Sequence, residues 1–101
     1  MTSKSLIRSI DPEVLSRAAE IIKLLGHHHR LRIVEALEEG EATVSEVQDA
    51  LDLPQAVVSQ HLSRLRGAGV VSGRREGVNV YYQITEPKVY HILECIRTCD
   101  M

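Results

Sequence analysis

Three side chains near the C-terminal end have the types and spacing of soft metal ligands. His91, Cys95 and Cys99 follow one another at intervals of four residues, so one side of a helix would carry all three. Thiolate and imidazole groups suit Zn(II), Cd(II), Cu(I) or As(III), and thiols can also react with oxidants or reactive sulfur. Free cysteines can instead pack as small apolar side chains. The spacing therefore predicts a candidate metal or thiol site, with packing as the alternative.

A second group of titratable side chains is the run of three histidines at positions 27–29. Adjacent residues point in different directions around a helix, so we expect that these rings do not all face one ion. Protonated histidines at a helix start would also oppose the helix dipole. We interpret the run as a pH-sensitive surface rather than a metal site.

A third set of side chains could read the edges of DNA bases. After Pro54, apolar residues at Val58, Leu62 and Leu65 predict a helix with one buried stripe. The opposite face would carry small, hydroxyl, amide and guanidinium groups, namely Gln55, Ala56, Ser59, Gln60, Ser63 and Arg64. Gln can address adenine, and Arg can reach guanine or phosphate. A solvated face without a ligand is the alternative.

The distribution of charge supports the DNA interpretation more than the total does. The 101 residues carry a net charge of −2, which alone argues weakly against a nucleic-acid partner. Residues 1–52 carry 6 basic and 10 acidic groups, a net charge of −4, whereas residues 53–82 carry four Arg and one Glu, a net charge of +3. Residues 83–101 carry 2 basic and 3 acidic groups, a net charge of −1. The positive charge is therefore confined to the segment with the predicted base-reading helix.

The elements around that helix predict a winged helix-turn-helix. Four helices come first, the third and fourth separated by Asp52 and Leu53, and alternation from Val78 to Ile84 predicts a β-hairpin with its turn at Glu76-Gly77. A last helix follows Pro87. The order is ααααββα in one domain, 1–101, with the helix-turn-helix at about 43–68, the wing at about 70–84 and a C-terminal helix at about 87–99. The hairpin adds Arg74, Arg75 and Asn79 to the candidate DNA surface.

Length and composition exclude several classes of protein. One domain fits in 101 residues, no run approaches the roughly 18 apolar residues of a membrane span, and two cysteines are too few for a disulfide scaffold. We therefore expect a cytoplasmic protein without a membrane partner. An enzyme is not expected, because Ser59 and His61 diverge on a helix and there is no Gly-rich phosphate loop.

The first helix predicts a partner subunit. Leu15, Ala19 and Ile22 lie beside a second apolar stripe of Val14, Ala18, Ile21 and Leu25, and Leu6, Ile7 and Ile10 precede them. A small domain cannot easily bury so wide a face alone. A two-fold dimer would also present two recognition helices about one DNA turn apart.

The segments LLGHHHRLRIVEAL, TVSEVQDALDLPQAVVSQHLSRLRGAGVV and RREGVNVYYQI resemble the ArsR/SmtB family of bacterial transcriptional repressors. The resemblance covers roughly residues 11–85. It implies a homodimer built by the first and last helices, which reads a palindromic operator in double-stranded DNA and is released by an inducer. It also places DNA contacts at Gln55, Ser59, Gln60, His61 and Arg64, with Arg74 and Arg75 in the wing.

Two metal sites of the resembled family are not matched. Thr43-Val44-Ser45 stands where some members carry Cys-Val-Cys, and Glu86 and Lys88 stand where others carry an Asp-x-His pair. The candidate inducer site is therefore the set His91, Cys95 and Cys99, where binding would strain the dimer interface. Two alternatives stay open: a repressor without a small inducer, and a winged helix that serves as a protein-interaction module.

Overall fold

The computed structural model describes residues 9–99, which form five helices and three short strands. In chain order they are α1 (Pro12–Leu25), α2 (His28–Ala36), β1 (Ala42–Thr43), α3 (Val44–Leu51), α4 (Gln55–Gly67), β2 (Val71–Glu76), β3 (Asn79–Ile84) and α5 (Pro87–Thr98). The predicted class, mainly α with a hairpin wing, is confirmed. The predicted order ααααββα omitted β1, because a strand of two residues is too short to show an alternating pattern.

Capping residues set the helix starts that position the helix-turn-helix. Thr43 Oγ1 accepts a hydrogen bond from the Glu46 N–H at 3.1 Å, and Glu46 Oε1 accepts one from the Thr43 N–H at 2.9 Å. This reciprocal capping box begins α3. The helix ends at Asp52, whose φ of 55° lies in the left-handed region that Asp tolerates better than most residues. The chain thereby reverses into α4 within three residues.

The three strands form one antiparallel sheet in the order β1-β3-β2. Glu76 lies opposite Asn79, so the turn residues are Gly77 and Val78 rather than the predicted Glu76-Gly77. Gly77 has a φ of 64°, which a residue without a Cβ adopts at little cost. Val78 therefore stands at the wing tip, 93% exposed, and does not begin the inward-facing row that its alternation predicted.

A single apolar core joins the helices to the base of the sheet. Every helix contributes to it, α4 with the most residues, and no polar side chain among the described residues is buried in it. Its members are Ile21, Leu25, Ile33, Val34, Leu37, Val47, Leu51, Val58, Leu62, Leu65, Val70, Val71, Ile84, Val89 and Leu93. Of the wide apolar surface predicted for α1, this core takes Ile21 and Leu25.

The capping box gives a direct test of how α3 is held. We expect Thr43→Ala to lower the free energy of unfolding by about 1 kcal/mol, because the Glu46 N–H loses its acceptor. Ser45→Ala is the matched control, since Ser45 is exposed and takes no part in the box. Urea denaturation of both variants checks the prediction, and equal stabilities would contradict it.

Candidate nucleic-acid interface

Helix α4 presents its polar face to solvent because its apolar face is fully buried. Val58, Leu62 and Leu65 have no exposed surface. The predicted base-reading residues Gln55, Ala56, Gln60, Ser63 and Arg64 are exposed, whereas Ser59 is half-buried. Pro54 is the N-cap and provides no side-chain hydrogen bond, so the positive end of the helix dipole lies open beside Gln55. This face can approach a groove of DNA without meeting a carboxylate of its own helix.

The wing carries two adjacent arginines in different environments. Arg74 Nη2 lies 2.5 Å from Glu41 Oε1, Arg74 Nη1 pairs with Glu76, and the guanidinium carbon lies 5.1 Å from the centre of the Tyr81 ring. Hydrogen bonds to Glu41 and then Glu76 raise the pKa of Arg74 above its ordinary value. Arg75 is exposed and makes no ion pair among residues 9–99. Arg75 is therefore the wing charge that is available to phosphate.

A shallow cavity of about 240 Å³ separates the recognition helix from the wing. Gln55 lines it from α4, and Asn79 lines it from the wing. The remaining lining residues come from the start of α3, the wing tip and β3: Thr43, Val44, Ser45, Val78, Val80 and Tyr82. The fold thus brings two predicted DNA-contact residues, Gln55 and Asn79, to one concave surface.

His61 faces the start of α2 and does not lie on the exposed face of α4. Its ring is half-buried, its centroid lies 4.6 Å from that of His27, and its Nδ1 accepts a hydrogen bond from Arg30 Nε at 3.2 Å. Desolvation, followed by the charges of His27 and Arg30, lowers the pKa of His61. The sequence pattern did not reveal this contact, because 31 residues separate Arg30 from His61.

The predicted thiol site lies at the end of α5. Cys95 and Cys99 are free and exposed, and His91 is exposed on the same helix. Cys99 is the C-cap and so lies one residue beyond α5. In the described part of the chain, no three His, Cys, Asp or Glu side chains are placed to hold a metal ion. One subunit alone thus offers the individual donors and not an assembled metal site.

Apolar side chains remain exposed on both terminal helices. Val14, Leu15 and Ile22 of α1 are 48%, 50% and 61% exposed, and Tyr90 and Ile96 of α5 are 40% and 44% exposed. Ile10, just before α1, is also exposed, whereas Leu6 and Ile7 lie outside the described residues. None of the helices within residues 9–99 has the length and apolar character needed to cross a bilayer.

Comparison with known proteins connects this geometry to a family. The family model for bacterial regulatory proteins of the arsR family matches residues 27–72, which run from α2 to the start of the wing. The chain is also 42% identical over 81 residues to the HTH-type transcriptional repressor SmtB of Mycobacterium tuberculosis. That match covers 80% of this chain and 60% of SmtB, so the chain spans less than two thirds of that relative's length.

Other relatives match over most of their length. The transcriptional repressor PagR of Bacillus anthracis is 40% identical over 80 residues, which cover 78% of this chain and 80% of PagR. The PagR crystal structure aligns with a TM-score of 0.76 at 37% identity, covering 85% of this chain and 99% of that one. The homodimeric winged helix-turn-helix domain of Mb0332 from Mycobacterium bovis aligns with a TM-score of 0.73 at 26% identity. The alignment covers 90% of this chain and 87% of that domain. The chain therefore belongs to the ArsR family of bacterial regulatory proteins, and its fold is a winged helix-turn-helix.

Proposed function

We propose that this protein is a homodimeric transcriptional repressor that binds a palindromic operator in double-stranded DNA. One observation carries the proposal: α4 presents an exposed polar face, Arg75 of the wing is exposed, and no acidic residue occurs between Pro54 and Arg75. SmtB and PagR are both named as transcriptional repressors, which supports repression rather than activation. A bacterial regulator of this kind meets its DNA in the cytoplasm, which we propose as its compartment.

The proposed contacts divide into base reading and backbone binding. We assign base reading to the amides of Gln55 and Gln60, supported by Ser59, Ser63 and Arg64 at the groove. We assign phosphate or minor-groove contact to Arg75 and Asn79 in the wing. The sequence also predicted Arg74 and His61 as DNA contacts, but both are engaged by side chains of this chain. Arg74 donates a hydrogen bond to Glu41, and His61 accepts one from Arg30. We therefore propose that these two residues orient the wing and the recognition helix.

Because base reading and phosphate contact affect binding differently, we expect two alanine variants to change different properties of DNA binding. We expect Gln60→Ala to reduce discrimination between operator and scrambled duplex by about 1–3 kcal/mol, because a base-reading amide is lost. Arg75→Ala should weaken binding to both duplexes alike and reduce the slope of log affinity against log salt by about one. Fluorescence anisotropy across a salt series measures both quantities.

Two exposed positions away from the proposed surface provide controls for that experiment. Gln83→Ala removes an amide from β3, and Lys23→Ala removes a positive charge from α1. Both controls should bind like the wild type. Unchanged operator affinity in Gln60→Ala and Arg75→Ala would refute the proposed DNA surface.

The proposed dimer uses the exposed apolar faces of α1 and α5. Five of the large apolar side chains that remain exposed lie on these helices, and grouped exposure of this kind is typical of a protein interface. The homodimeric state of Mb0332 supports this assignment. Two-fold symmetry would place the recognition helices about one DNA turn apart, at roughly 34 Å, which suits an inverted repeat.

A carboxylate in that face should separate the subunits. We expect Ile22→Glu to shift the protein toward monomer and to weaken operator binding by about 100-fold or more, because the two half-sites are no longer linked. Lys23→Glu is the matched control, since it places the same carboxylate on the neighbouring exposed residue. Sedimentation equilibrium measures the assembly state. A dimeric Ile22→Glu protein would contradict the proposed interface.

For release from DNA, we propose that Cys95 and Cys99 form the inducer-responsive site. Both thiols are exposed, so neither is used for packing within the subunit. A thiol pair fits Zn(II), Cd(II), Cu(I) or As(III), with a third ligand from His91 or from the partner subunit, and it also fits oxidation or persulfide chemistry. A ligand at α5 would act on the proposed dimer interface and thereby on the spacing of the recognition helices.

The double variant Cys95→Ser with Cys99→Ser tests the inducer site. We expect it to bind operator like the wild type and to resist release by whichever of Zn(II), Cd(II), Cu(I), arsenite or persulfide releases the reduced wild type. Titration of preformed protein–DNA complexes measures release. If the effective compound releases the double variant equally well, the cysteines are not the site.

A further inference from the structure

Four imidazole rings gather where the start of α2 meets the recognition helix. The ring centroids of His27 and His61 are 4.6 Å apart, those of His27 and His29 5.4 Å, and those of His29 and His61 5.9 Å. His28 adjoins His29 at 5.7 Å. His27 is the extended N-cap of α2 and not a helical residue, and its ring lies beside those of His29 and His61.

Two of these rings serve as hydrogen-bond acceptors, which requires them to be neutral. His27 Nδ1 accepts from the His29 N–H at 3.1 Å and so caps α2. His61 Nδ1 accepts from Arg30 Nε at 3.2 Å, while Arg30 Nη1 donates to the Leu24 carbonyl at 3.1 Å. Arg30 thus links α1, α2 and α4. A proton on either Nδ1 would remove an acceptor at a structural contact.

The charges around the cluster are all of one sign. The charged or titratable groups that face His61 are His27, His29 and Arg30 from the start of α2, and Arg64 from its own helix. His27 faces Arg30, His29 and His28. The buried His29 Nδ1 has no hydrogen-bond partner among the described residues. A proton added to the cluster therefore meets positive neighbours and no carboxylate in this set.

We propose that His27, His61 and Arg30 form a pH-sensitive clamp that holds α4 in its DNA-binding orientation while the imidazoles are neutral and loosens when they are protonated. The inference rests on the proposed DNA-binding function and adds a way to regulate it. Acidification would break the cap of α2 and the Arg30–His61 contact together, and would reduce the population of the conformation that binds operator.

The direction of the effect follows from proton linkage. Desolvation, followed by neighbouring positive charges, lowers the pKa of His27 and of His61 below the ordinary 6.5. The unfolded or loosened state therefore binds more protons than the clamped state below about pH 6.5. The clamp's contribution is complete above that pH and is lost as the pH falls through the lowered pKa values.

Asparagine at positions 27 and 61 can keep a hydrogen-bond acceptor at each contact while removing the titratable imidazole. The double variant His27→Asn with His61→Asn retains an oxygen near each former Nδ1, and Asn is a favourable N-cap. We expect wild-type operator affinity to fall between about pH 7.5 and pH 5.5 by several-fold more than that of the double variant, because protonation removes the two Nδ1 acceptors only in the wild type. The urea midpoint should show the same difference. Gln83→Asn, at an exposed position of β3 outside the cluster, should keep the wild-type response.

Three outcomes would overturn the clamp: parallel pH responses of wild type and double variant, loss of the response in Gln83→Asn, or wild-type His27 and His61 imidazole resonances that titrate at or above the free-histidine value. The NMR titration needs no variant and so remains decisive if the double variant does not fold. A wild-type protein that binds no duplex at neutral pH would instead refute the DNA-binding proposal, and the urea midpoints would then decide on the clamp alone.

Discussion

Helix α4 has one stable orientation because the side chains of Val58, Leu62 and Leu65 are fully buried in the core. Truncating one such leucine typically costs about 2–5 kcal/mol, a large share of the roughly 5–15 kcal/mol that stabilises a small domain. Rotation of the helix about its own axis is therefore prohibitive, and Gln60 and Arg64 must face outward. Every proposed function of the molecule depends on this burial. Regulation must then act on the position of the helix as a whole or on the distance between two copies.

The exposed face of α4 has no carboxylate on its own helix, and the acidic groups nearest the wing arginines are paired. Glu41 and Glu76 pair with Arg74 in the middle of β2, whereas Arg75 is exposed and makes no ion pair among residues 9–99. The net charge of −2 limits attraction to arbitrary DNA, because non-specific affinity comes from phosphate neutralisation. A larger share of the affinity then falls to base contacts, and this favours specificity over tight non-specific binding.

Local sequence patterns predicted the helices and the hairpin. The features that they did not predict depend on contacts between residues far apart in the sequence. The apolar stripe on α4 and the short connection at Asp52 are encoded within one or two helical turns, so the sequence alone predicted them correctly. Strand β1 exists because Ala42 pairs with Tyr82, a partner 40 residues away that no local pattern identifies. The bonds from Arg74 to Glu41 and from Arg30 to His61 span 33 and 31 residues. For the same reason, the exposed side of α4 could be predicted, whereas the contact of His61 with Arg30 could not.

The central claim is that this acidic chain binds DNA in a sequence-specific way as a dimer. Selection from a pool of random duplexes, followed by equilibrium binding of the full chain to the enriched duplex and to a scrambled one across a salt series, tests it most directly. We expect an enriched inverted repeat with half-sites about one helical turn apart, bound at least about 10³-fold more tightly than the scrambled duplex. Affinity should fall steeply with salt. Equal affinities for both duplexes, or binding that salt leaves unchanged, would contradict the account and favour a winged helix that binds protein.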